Sequence, residues 1–343
     1  MKIYSSIVRP AIDAISFFDR ESAHHDALFM LRLCGLPPIR KMLSKQLFIE
    51  NERTVFGIKF PNPVGAAAGF DKRGVALYGL EAFGFGFAEV GTVTPLPQPG
   101  NPKPRLFRLD EDEAIINRMG FNNEGAVVLA GRMAAYHDLR IPIGINIGKN
   151  KDTPIERAAD DYEKCITVLY PYADYFTINV SSPNTKDLRQ LQEKSSLEEL
   201  LQKVLHRVGE SAKGQKPKPV LLKIAPDLSA EELSDILEVS ESRVQGLIIH
   251  NTTVARPDTL RSSHRDEIGG LSGKPLQNRA VELVGTVHRE LPNMPIIGVG
   301  GIFGPDDALR LFDAGASLVQ LYTGLIFEGP LLPYRINQAL KRM

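Results

Sequence analysis

Residues 179–185, with the sequence NVSSPNT, place several hydrogen-bonding side chains directly after an apolar segment. The preceding residues, PYADYFTI, are typical of a buried β-strand. Amide and hydroxyl groups can both donate and accept hydrogen bonds, and the stretch holds no His or Cys that could act as a strong base or metal ligand. A strand end with so many hydrogen-bonding groups, stiffened by a proline, indicates a ligand-binding or catalytic loop.

The ends of the other predicted strands also carry polar or flexible residues. They are Asp71 and Lys72, Thr92, Asn146 and Lys149, Lys223, Asn251 and Thr252, Gly300 and Gly301, and Tyr322 and Thr323. Most of these strand ends offer amide or ammonium groups. Because buried polar groups lower stability unless they are paired, we expect a ligand to pair with them.

A regular succession of strands and helices, beginning near residue 54, must position these residues. TVFGIKFPN predicts a short hairpin, and apolar strands are predicted at 63–69, 87–93, 142–148, 174–180, 219–225, 246–252, 295–301 and 317–323. A helical pattern follows each strand, which is typical of a parallel sheet. Eight such units predict an α/β fold, the closed (β/α)8 TIM barrel, whose active sites lie at the carboxyl ends of the strands. A doubly wound open sheet is the alternative.

Two long loops and a glycine-rich turn lie on that side of the barrel. The loops span residues 94–120 and 253–275, and loops of this length are usually lids or binding loops. The seventh strand ends in GVGGIFGPDD, with a helix predicted to start at or just after Pro305, and the eighth ends in YTG. Backbone N–H groups and the positive end of a helix favour an anion there, so the sequence predicts a phosphate-bearing ligand. The run does not match GxGxxG, which argues against a Rossmann nicotinamide site.

Two lysines are predicted to point into the barrel mouth, Lys72 and Lys223. Each could form a salt bridge with an unseen carboxylate, or act as a Schiff-base nucleophile of a lyase. Lys223 could instead stabilise negative charge near N1 of a reduced flavin. The residues alone leave these alternatives open, together with a phosphate-binding barrel that performs no chemistry.

The overall composition excludes several other classes of function. The chain has 343 residues with 41 basic and 41 acidic side chains, so no net field favours nucleic acid as a partner. Cys34 and Cys165 are far apart and lack a partner motif, and the seven histidines form no metal motif. We therefore expect reduced thiols and no metal. No apolar run is long enough for a membrane-spanning helix, and we expect no secretory signal at the N-terminus.

Residues 1–45 differ from the rest of the chain and predict a separate helical extension before a barrel domain at 46–343. Amphipathic helices are expected at about 4–18 and 22–34, followed by LPPIRKMLSKQ. The segment has seven Lys or Arg against four Asp or Glu. It either packs on the barrel as a helical hairpin or lies in a membrane interface.

Several motifs in this order resemble dihydroorotate dehydrogenase. They include AAAGFDKRG, EVGTVTPLPQPGNPKPRLFRL, NRMGFNNEG, INIGKNKDT, INVSSPNT, LKIAPDLS, HNTT, GGLSGKPLQ, IIGVGG and LVQLYTG. More narrowly, the chain resembles the quinone-dependent, membrane-associated class 2, because Ser182 stands where class 1 has Cys and because class 1 lacks the two-helix extension. A class 1-like enzyme with a soluble acceptor is the alternative.

The resemblance implies FMN as cofactor, (S)-dihydroorotate as substrate, orotate as product, and ubiquinone or menaquinone as acceptor, in pyrimidine (UMP) biosynthesis. FMN would be bound by Ala67, Ala68, Gly69, Thr92, Asn146, Asn179, Lys223, Gly273, Gly301, Tyr322 and Thr323. The substrate would be bound by Lys72, Asn117, Arg118, Met119, Gly120, Phe121, Asn179, Asn184, Asn251 and Thr252. His24, Arg108 and Tyr322 would line the quinone route.

The resemblance also implies a proton acceptor and a place in the cell. Ser182 would take the substrate proton while a hydride passes to flavin N5. Because a free hydroxyl is a weak base, we hypothesise that Thr185 and a water carry the proton onward, with Phe121 as an apolar wall. The protein would lie peripherally on the cytoplasmic face of the cell membrane, through residues 1–45, with no obligatory partner subunit. His250 departs from the family, which usually has Thr or Ser at that flavin contact.

Overall fold

The structure, a computed structural model, describes residues 20–342 and the side chains from Glu21 onward. The predicted helix at about residues 4–18 lies outside this part of the chain. The helices are α1 (Arg20–Cys34), α2 (Pro37–Leu47), α3 (Leu77–Ala82), α4 (Ala126–Met133), α5 (Ala158–Leu169), α6 (Lys194–Ser211), α7 (Ala230–Glu241), α8 (Gln277–Glu290), α9 (Pro305–Asp313), α10 (Thr323–Glu328) and α11 (Leu332–Leu340).

The strands match the predicted succession and add a small second sheet. They are β1 (Arg53–Val55), β2 (Ile58–Phe60), β3 (Val64–Ala66), β4 (Phe87–Val93), β5 (Leu106–Leu109), β6 (Ala114–Asn117), β7 (Ile143–Ile147), β8 (Tyr175–Asn179), β9 (Val220–Ile224), β10 (Gly246–Ile249), β11 (Gly270–Gly273), β12 (Ile296–Val299) and β13 (Leu318–Leu321). The predicted hairpin is confirmed as the antiparallel pair β1–β2.

Eight parallel strands close into a barrel in the order β3, β4, β7, β8, β9, β10, β12, β13. The predicted TIM barrel is confirmed, and the open-sheet alternative is wrong. Its strands are buried on both faces; β7 and β8, for instance, contain only buried residues. Their outward side chains pack against the helices, which is why the strands are continuous apolar runs without polar alternation.

Aromatic side chains fill the amino-terminal end of the barrel. Phe60, at the end of the hairpin, packs edge-on against Phe87 with ring centroids 5.2 Å apart. The ring of Tyr175 fits because Gly144 has no side chain: a Cβ there would lie 2.1 Å from the Tyr175 ring. The interior of the barrel is therefore closed at this end by apolar packing.

The two long loops contribute strands of a three-stranded antiparallel sheet, in the order β5, β6, β11. Residues 94–120 supply β5 and β6, and residues 253–275 supply β11. Asn117 pairs with Gly270 and Ala114 with Gly273. These segments are thus joined into one layer beside the carboxyl ends of the barrel strands.

The described part of the extension consists of two helices packed near α3. α1 confirms the predicted helix at 22–34, whereas α2 was not predicted, because its first residues are the two prolines of LPPIRKMLSKQ. Proline is tolerated in the first turn of a helix, where its missing N–H would be unpaired, and Pro37 begins α2. Leu28 and Leu31 of α1 are buried. Within residues 20–342, no helix is both long and apolar enough to cross a membrane.

Candidate active site

A cavity lies at the carboxyl ends of the barrel strands and gathers most of the predicted site residues. Those that line it are Ala67, Ala68, Gly69, Lys72, Thr92, Asn117, Met119, Gly120, Phe121, Asn179, Ser182, Asn184, Lys223, Asn251, Thr252, Gly273, Gly300, Gly301, Tyr322 and Thr323. His250, Ser272 and Gln320 also line it. The cavity brings together contributions from seven of the eight barrel strands or the residues directly after them, all but β7, and from the small antiparallel sheet.

The floor of the cavity is a network of amides that starts from a buried carboxylate. Glu89 of β4 is 1% exposed, and its Oε1 accepts a hydrogen bond from Asn146 Nδ2 at 2.8 Å. Its Oε2 accepts from Gln320 Nε2 at 2.9 Å and from the Tyr175 hydroxyl at 3.3 Å. A carboxylate can only accept hydrogen bonds. Glu89 therefore orients the Asn146 amide so that its nitrogen faces Glu89 and its oxygen faces the cavity.

The fixed orientation of Asn146 extends to the cavity lining. Asn146 Oδ1 accepts from Thr92 Oγ1 at 2.5 Å and from Asn179 Nδ2 at 3.1 Å. Asn179 Oδ1 in turn accepts from Ser181 Oγ at 3.2 Å and from Asn251 Nδ2 at 3.4 Å. One acceptor-only group therefore orients three successive asparagines, so their donors and acceptors are set before any ligand arrives.

Lys223 lies in the cavity wall with its ammonium group unpaired. The residue is 5% exposed, and no hydrogen bond or ion pair joins its Nζ atom to another residue in the described part of the chain. Burial lowers the pKa of Lys223, while the negative charge of Glu89 acts in the opposite direction. A buried cation without a direct partner favours a ligand that is, or becomes, negatively charged.

Lys72 occupies another side of the cavity. Its Nζ donates to Asn122 Oδ1 at 2.5 Å, a neutral partner that leaves its charge uncompensated. Burial, together with the positive charge of Arg105, lowers the pKa of Lys72 to about 7. A carboxylate placed beside Lys72 would stabilise the charged form of this group.

The loop after β8 carries Ser182 and Thr185, both 7% exposed. Ser182 Oγ accepts a hydrogen bond from Asn184 N at 3.3 Å. Asn184 Nδ2 donates to the backbone oxygen of Asn117 at 3.0 Å, which joins this loop to β6. Thr185 does not line the cavity, and its Oγ1 is buried without a hydrogen-bond partner among residues 20–342.

The glycine-rich turn after β12 lies at the cavity edge, and its residues Gly300 and Gly301 line the cavity. Asp307, in the first turn of α9, accepts a hydrogen bond from Phe303 N at 2.9 Å, and Asp306 adds a second carboxylate there. The anion site expected beside the helix that starts at Pro305 therefore stays a prediction. The backbone at Gly301 approaches Gln277 so closely that a Cβ would lie 2.5 Å from Gln277 Cα.

Several predicted residues lie outside the cavity lining. Asn146 lies beneath the floor, as described above. Arg118 is tied to Glu267 at 2.7 Å, and its guanidinium lies 4.4 Å from the Phe107 ring centroid. Asp71 accepts from the backbone of Ala76 at 2.7 Å. Lys149 Nζ donates to the Thr153 carbonyl oxygen at 2.6 Å. The expectation that a ligand pairs every polar strand end is therefore wrong for Asp71 and Lys149.

A row of aromatic rings connects α1 with the cavity. His24 Nε2 lies 2.7 Å from the backbone oxygen of Phe70, and its ring meets the Phe70 ring edge-on at 5.3 Å. Phe70 meets Tyr322 at 6.1 Å, and Tyr322 lines the cavity. Burial lowers the pKa of His24 to about 4, so its ring is neutral near pH 7 and donates to the carbonyl.

An ion pair that the sequence did not reveal holds α1 against the loop before β5. Arg105 Nη2 lies 2.6 Å from Glu21 Oε1, and both side chains are less than a tenth exposed. Arg108, on β5, pairs with Asp110 at 3.0 Å. Glu21 and Arg105 are 84 positions apart, which is why no local pattern predicted the pair.

Comparison with known proteins gives a consistent result over nearly the whole chain. The sequence profile of the family described as Dihydroorotate dehydrogenase matches residues 51–343. A relative in Chloroflexus aurantiacus, named Dihydroorotate dehydrogenase (quinone), is 50% identical over 343 residues, covering 97% of this chain and 94% of its own length. A relative of the same name in Christiangramia forsetii is 49% identical over 344 residues, with 98% of each chain covered.

A solved structure is also similar to this chain. The crystal structure of DHODH in complex with ferulenol from Eimeria tenella is 38% identical and gives a TM-score of 0.85. The match covers 94% of this chain and 91% of that chain, so it includes helices of the extension as well as the barrel.

Proposed function

Since the chain belongs to the dihydroorotate dehydrogenase family, we propose that it oxidises (S)-dihydroorotate to orotate, a step of pyrimidine (UMP) biosynthesis, with FMN as cofactor and a membrane quinone as electron acceptor. The substrate loses a hydride and a proton from adjacent carbons. FMN, when bound, supplies the hydride acceptor. The quinone acceptor is supported by the names of the relatives in Chloroflexus aurantiacus and Christiangramia forsetii.

One observation carries the flavin assignment: the unpaired, buried ammonium group of Lys223. Glu89 favours the charged form of Lys223 without pairing with it. Such a cation stabilises the negative charge that a reduced flavin gains near N1. Asn179 lies opposite Lys223 on the neighbouring strand, and its side-chain nitrogen donates to Thr92 and Asn146. Gly273, Gly301 and Thr323 line the part of the cavity where we place the phosphate end of the ribityl chain.

The other side of the cavity suits the substrate. Dihydroorotate is a cyclic ureide with one carboxylate, so its ring needs partners that both donate and accept. Asn117, Asn184 and Asn251 supply such groups, and Lys72 supplies a cation for the carboxylate. Because the reaction of this family needs no Schiff base, we assign Lys72 and Lys223 to binding and not to lyase chemistry.

Ser182 is the group we assign as the proton acceptor. It lies in the loop that also holds Asn184, within the lining of the cavity. Its hydroxyl oxygen accepts from the Asn184 backbone, which leaves its proton available to pass onward. The unpartnered hydroxyl of Thr185 supports a relay in which a water carries that proton away from Ser182, with Phe121 as the apolar wall.

We assign residues 1–45 to membrane contact and quinone access, and 46–343 to the catalytic barrel, without an obligatory partner subunit. Phe29 and Met30 of α1 are each 58% exposed and Met42 of α2 is 54% exposed, while Leu28 and Leu31 pack inward. A helix pair with one packed and one exposed apolar face suits peripheral binding at a bilayer surface, here the cytoplasmic face of the cell membrane. The row His24, Phe70, Tyr322 marks the route from these helices to the flavin.

An anaerobic spectrum tests the proposal. The purified protein should show flavin absorbance that bleaches on adding dihydroorotate and returns on adding ubiquinone or menaquinone. Dihydrouracil, which has the ring without the carboxylate, is the matched control and should bleach far less. A folded, colourless protein that cannot be loaded with FMN would overturn the assignment. Reoxidation by a soluble acceptor but not by quinone would indicate a class 1-like enzyme.

A further inference from the structure

His250 is a buried histidine at the barrel mouth that no step of the proposed reaction uses. It is 2% exposed and lines the cavity beside Asn251. Its Nε2 atom is buried without a hydrogen-bond partner in the described part of the chain. Because an unpaired buried polar atom lowers stability, its presence in a ligand cavity points to a partner on the ligand.

The other ring nitrogen determines what Nε2 can offer. Nδ1 lies at hydrogen-bonding distance from the backbone oxygen of Asn251, which can only accept, so Nδ1 carries the proton. Burial, with the positive charges of Lys223 and Arg279, lowers the pKa of His250 to about 4. The ring is therefore neutral near pH 7, and Nε2 presents a lone pair that accepts a hydrogen bond.

Strand order locates His250 between the two ends of the cavity. His250 follows β10, which lies between β9 with Lys223 and β12, whose end is followed by Gly300. A Cβ built on Gly300 would lie 3.2 Å from His250 Nε2. In the proposed function Lys223 marks the ring end of FMN, and the glycines after β12 mark the phosphate end. The chain that links ring and phosphate therefore passes His250.

We propose that His250 binds the ribityl chain of FMN by accepting a hydrogen bond at Nε2 from one of its hydroxyl groups. The inference rests on the proposed function and concerns the position where this chain departs from its family. The hydroxyl of Thr or Ser can donate or accept, whereas imidazole protonated at Nδ1 can only accept through Nε2. This chain therefore requires a hydrogen-bond donor at that point of the ligand.

Binding of deoxy analogues to the FMN-free protein tests this contact. Fluorescence quenching would give the Kd of FMN and of FMN lacking the 2′-, 3′- or 4′-hydroxyl. For the wild type, one analogue should bind about 10- to 100-fold more weakly than FMN, because it leaves buried Nε2 unpaired. His250→Met should bind FMN more weakly but should not discriminate against that analogue. His250→Gln is the matched control, since its Oε1 accepts and should restore most of the discrimination.

Two results would overturn the inference while the proposed function stands. One is wild-type protein that binds all three analogues as tightly as FMN. The other is a His250→Met variant that weakens FMN and every analogue by the same factor, which would indicate packing alone. If thermal unfolding shows that His250→Met does not fold, the Kd values of the analogues for the wild type and for His250→Gln still test whether Nε2 accepts this hydrogen bond. Failure of the wild type to bind FMN at all would overturn the proposed function and this inference together.

Discussion

The Glu89 carboxylate lies directly beneath Asn146, and its Oε1 accepts the Asn146 side-chain hydrogen bond at 2.8 Å. This contact sets the orientation of the amides that face the ligand cavity. It also brings a negative charge within range of Lys223. A residue that does not line the cavity thus determines which amide atoms face it and contributes to its electrostatics.

Replacing Glu89 should show how much the hydrogen bonds to its carboxylate contribute to the free energy of unfolding. Glu89→Leu leaves buried donors of Asn146, Gln320 and Tyr175 without an acceptor, so the free energy of unfolding should fall by about 3–5 kcal/mol. Glu89→Gln keeps one acceptor and should cost about 1–2 kcal/mol. Denaturant unfolding of the FMN-free protein measures both values. Equal stability of Glu89→Leu and wild type would contradict the role given to this carboxylate.

The proton relay predicts an effect of Thr185 on flavin reduction. Thr185→Val keeps the shape of the side chain and removes the hydroxyl, so reduction by dihydroorotate should slow about tenfold, the value of one lost hydrogen bond. Stopped-flow absorbance measures this rate, and orotate affinity should change little. Ser182→Ala is the reference variant and should slow flavin reduction about 100-fold or more, as expected when the catalytic base is lost. Reduction of Thr185→Val at the wild-type rate would mean that another group carries the proton away.

Lys72 predicts a pH dependence of orotate binding. Its pKa in the ligand-free protein is about 7, and a bound carboxylate favours the ammonium form. As the pH rises above 7, the ligand must bind together with a proton, so the Kd of orotate should rise up to about tenfold per pH unit. Below pH 7 Lys72 is already charged, so the Kd of orotate should not change with pH through this group. Titrations with orotate between pH 6 and 9, followed by flavin absorbance, check this. The Lys72→Met variant should bind orotate weakly, and its Kd should not change with pH.

The exposed apolar face of α1 predicts a selective loss of quinone coupling. Changing Phe29 and Met30 to Ser should weaken binding to anionic lipid vesicles about 10- to 100-fold. Turnover with a vesicle-bound quinone should fall accordingly, while turnover with a soluble dye should not. The matched control changes Val127 and Val128, exposed on α4, to Ser and should alter neither. An equal loss with quinone and dye would count against the membrane route.

The sequence predicted the barrel because each strand is an apolar run followed by an amphipathic helix. This pattern can be recognised from neighbouring residues alone. It missed α2 because Pro37 and Pro38 suggest a break, although the first turn of a helix accepts proline. It also missed the small antiparallel sheet. Although β5 and β6 pair with each other as a local hairpin, β6 also pairs with β11, about 150 positions away. Such pairing leaves no local signal.

The candidate site shows the same limit. Strand ends and motifs indicated Lys72, Asn179, Ser182 and Lys223, which the cavity brings together. Glu89 had a signal that could have been used, since it is the one charged residue within the apolar strand FAEVGTV. The carboxylate of Asp307 at the start of α9 was visible in sequence, but its bond to Phe303 was not. Whether a polar residue serves a ligand or its own loop depends on contacts that only the fold supplies.

The ladder between β6 and β11 fixes the distance between a residue assigned to the substrate and a residue assigned to the cofactor. Asn117, assigned to the substrate, pairs with Gly270, whereas Gly273, assigned to the cofactor, pairs with Ala114 at the other end of the same four-residue ladder. Three residue steps along a strand span about 10 Å. The distance between these contacts is therefore held by backbone hydrogen bonds, and a one-residue shift in register would displace substrate and flavin relative to each other by about 3.4 Å.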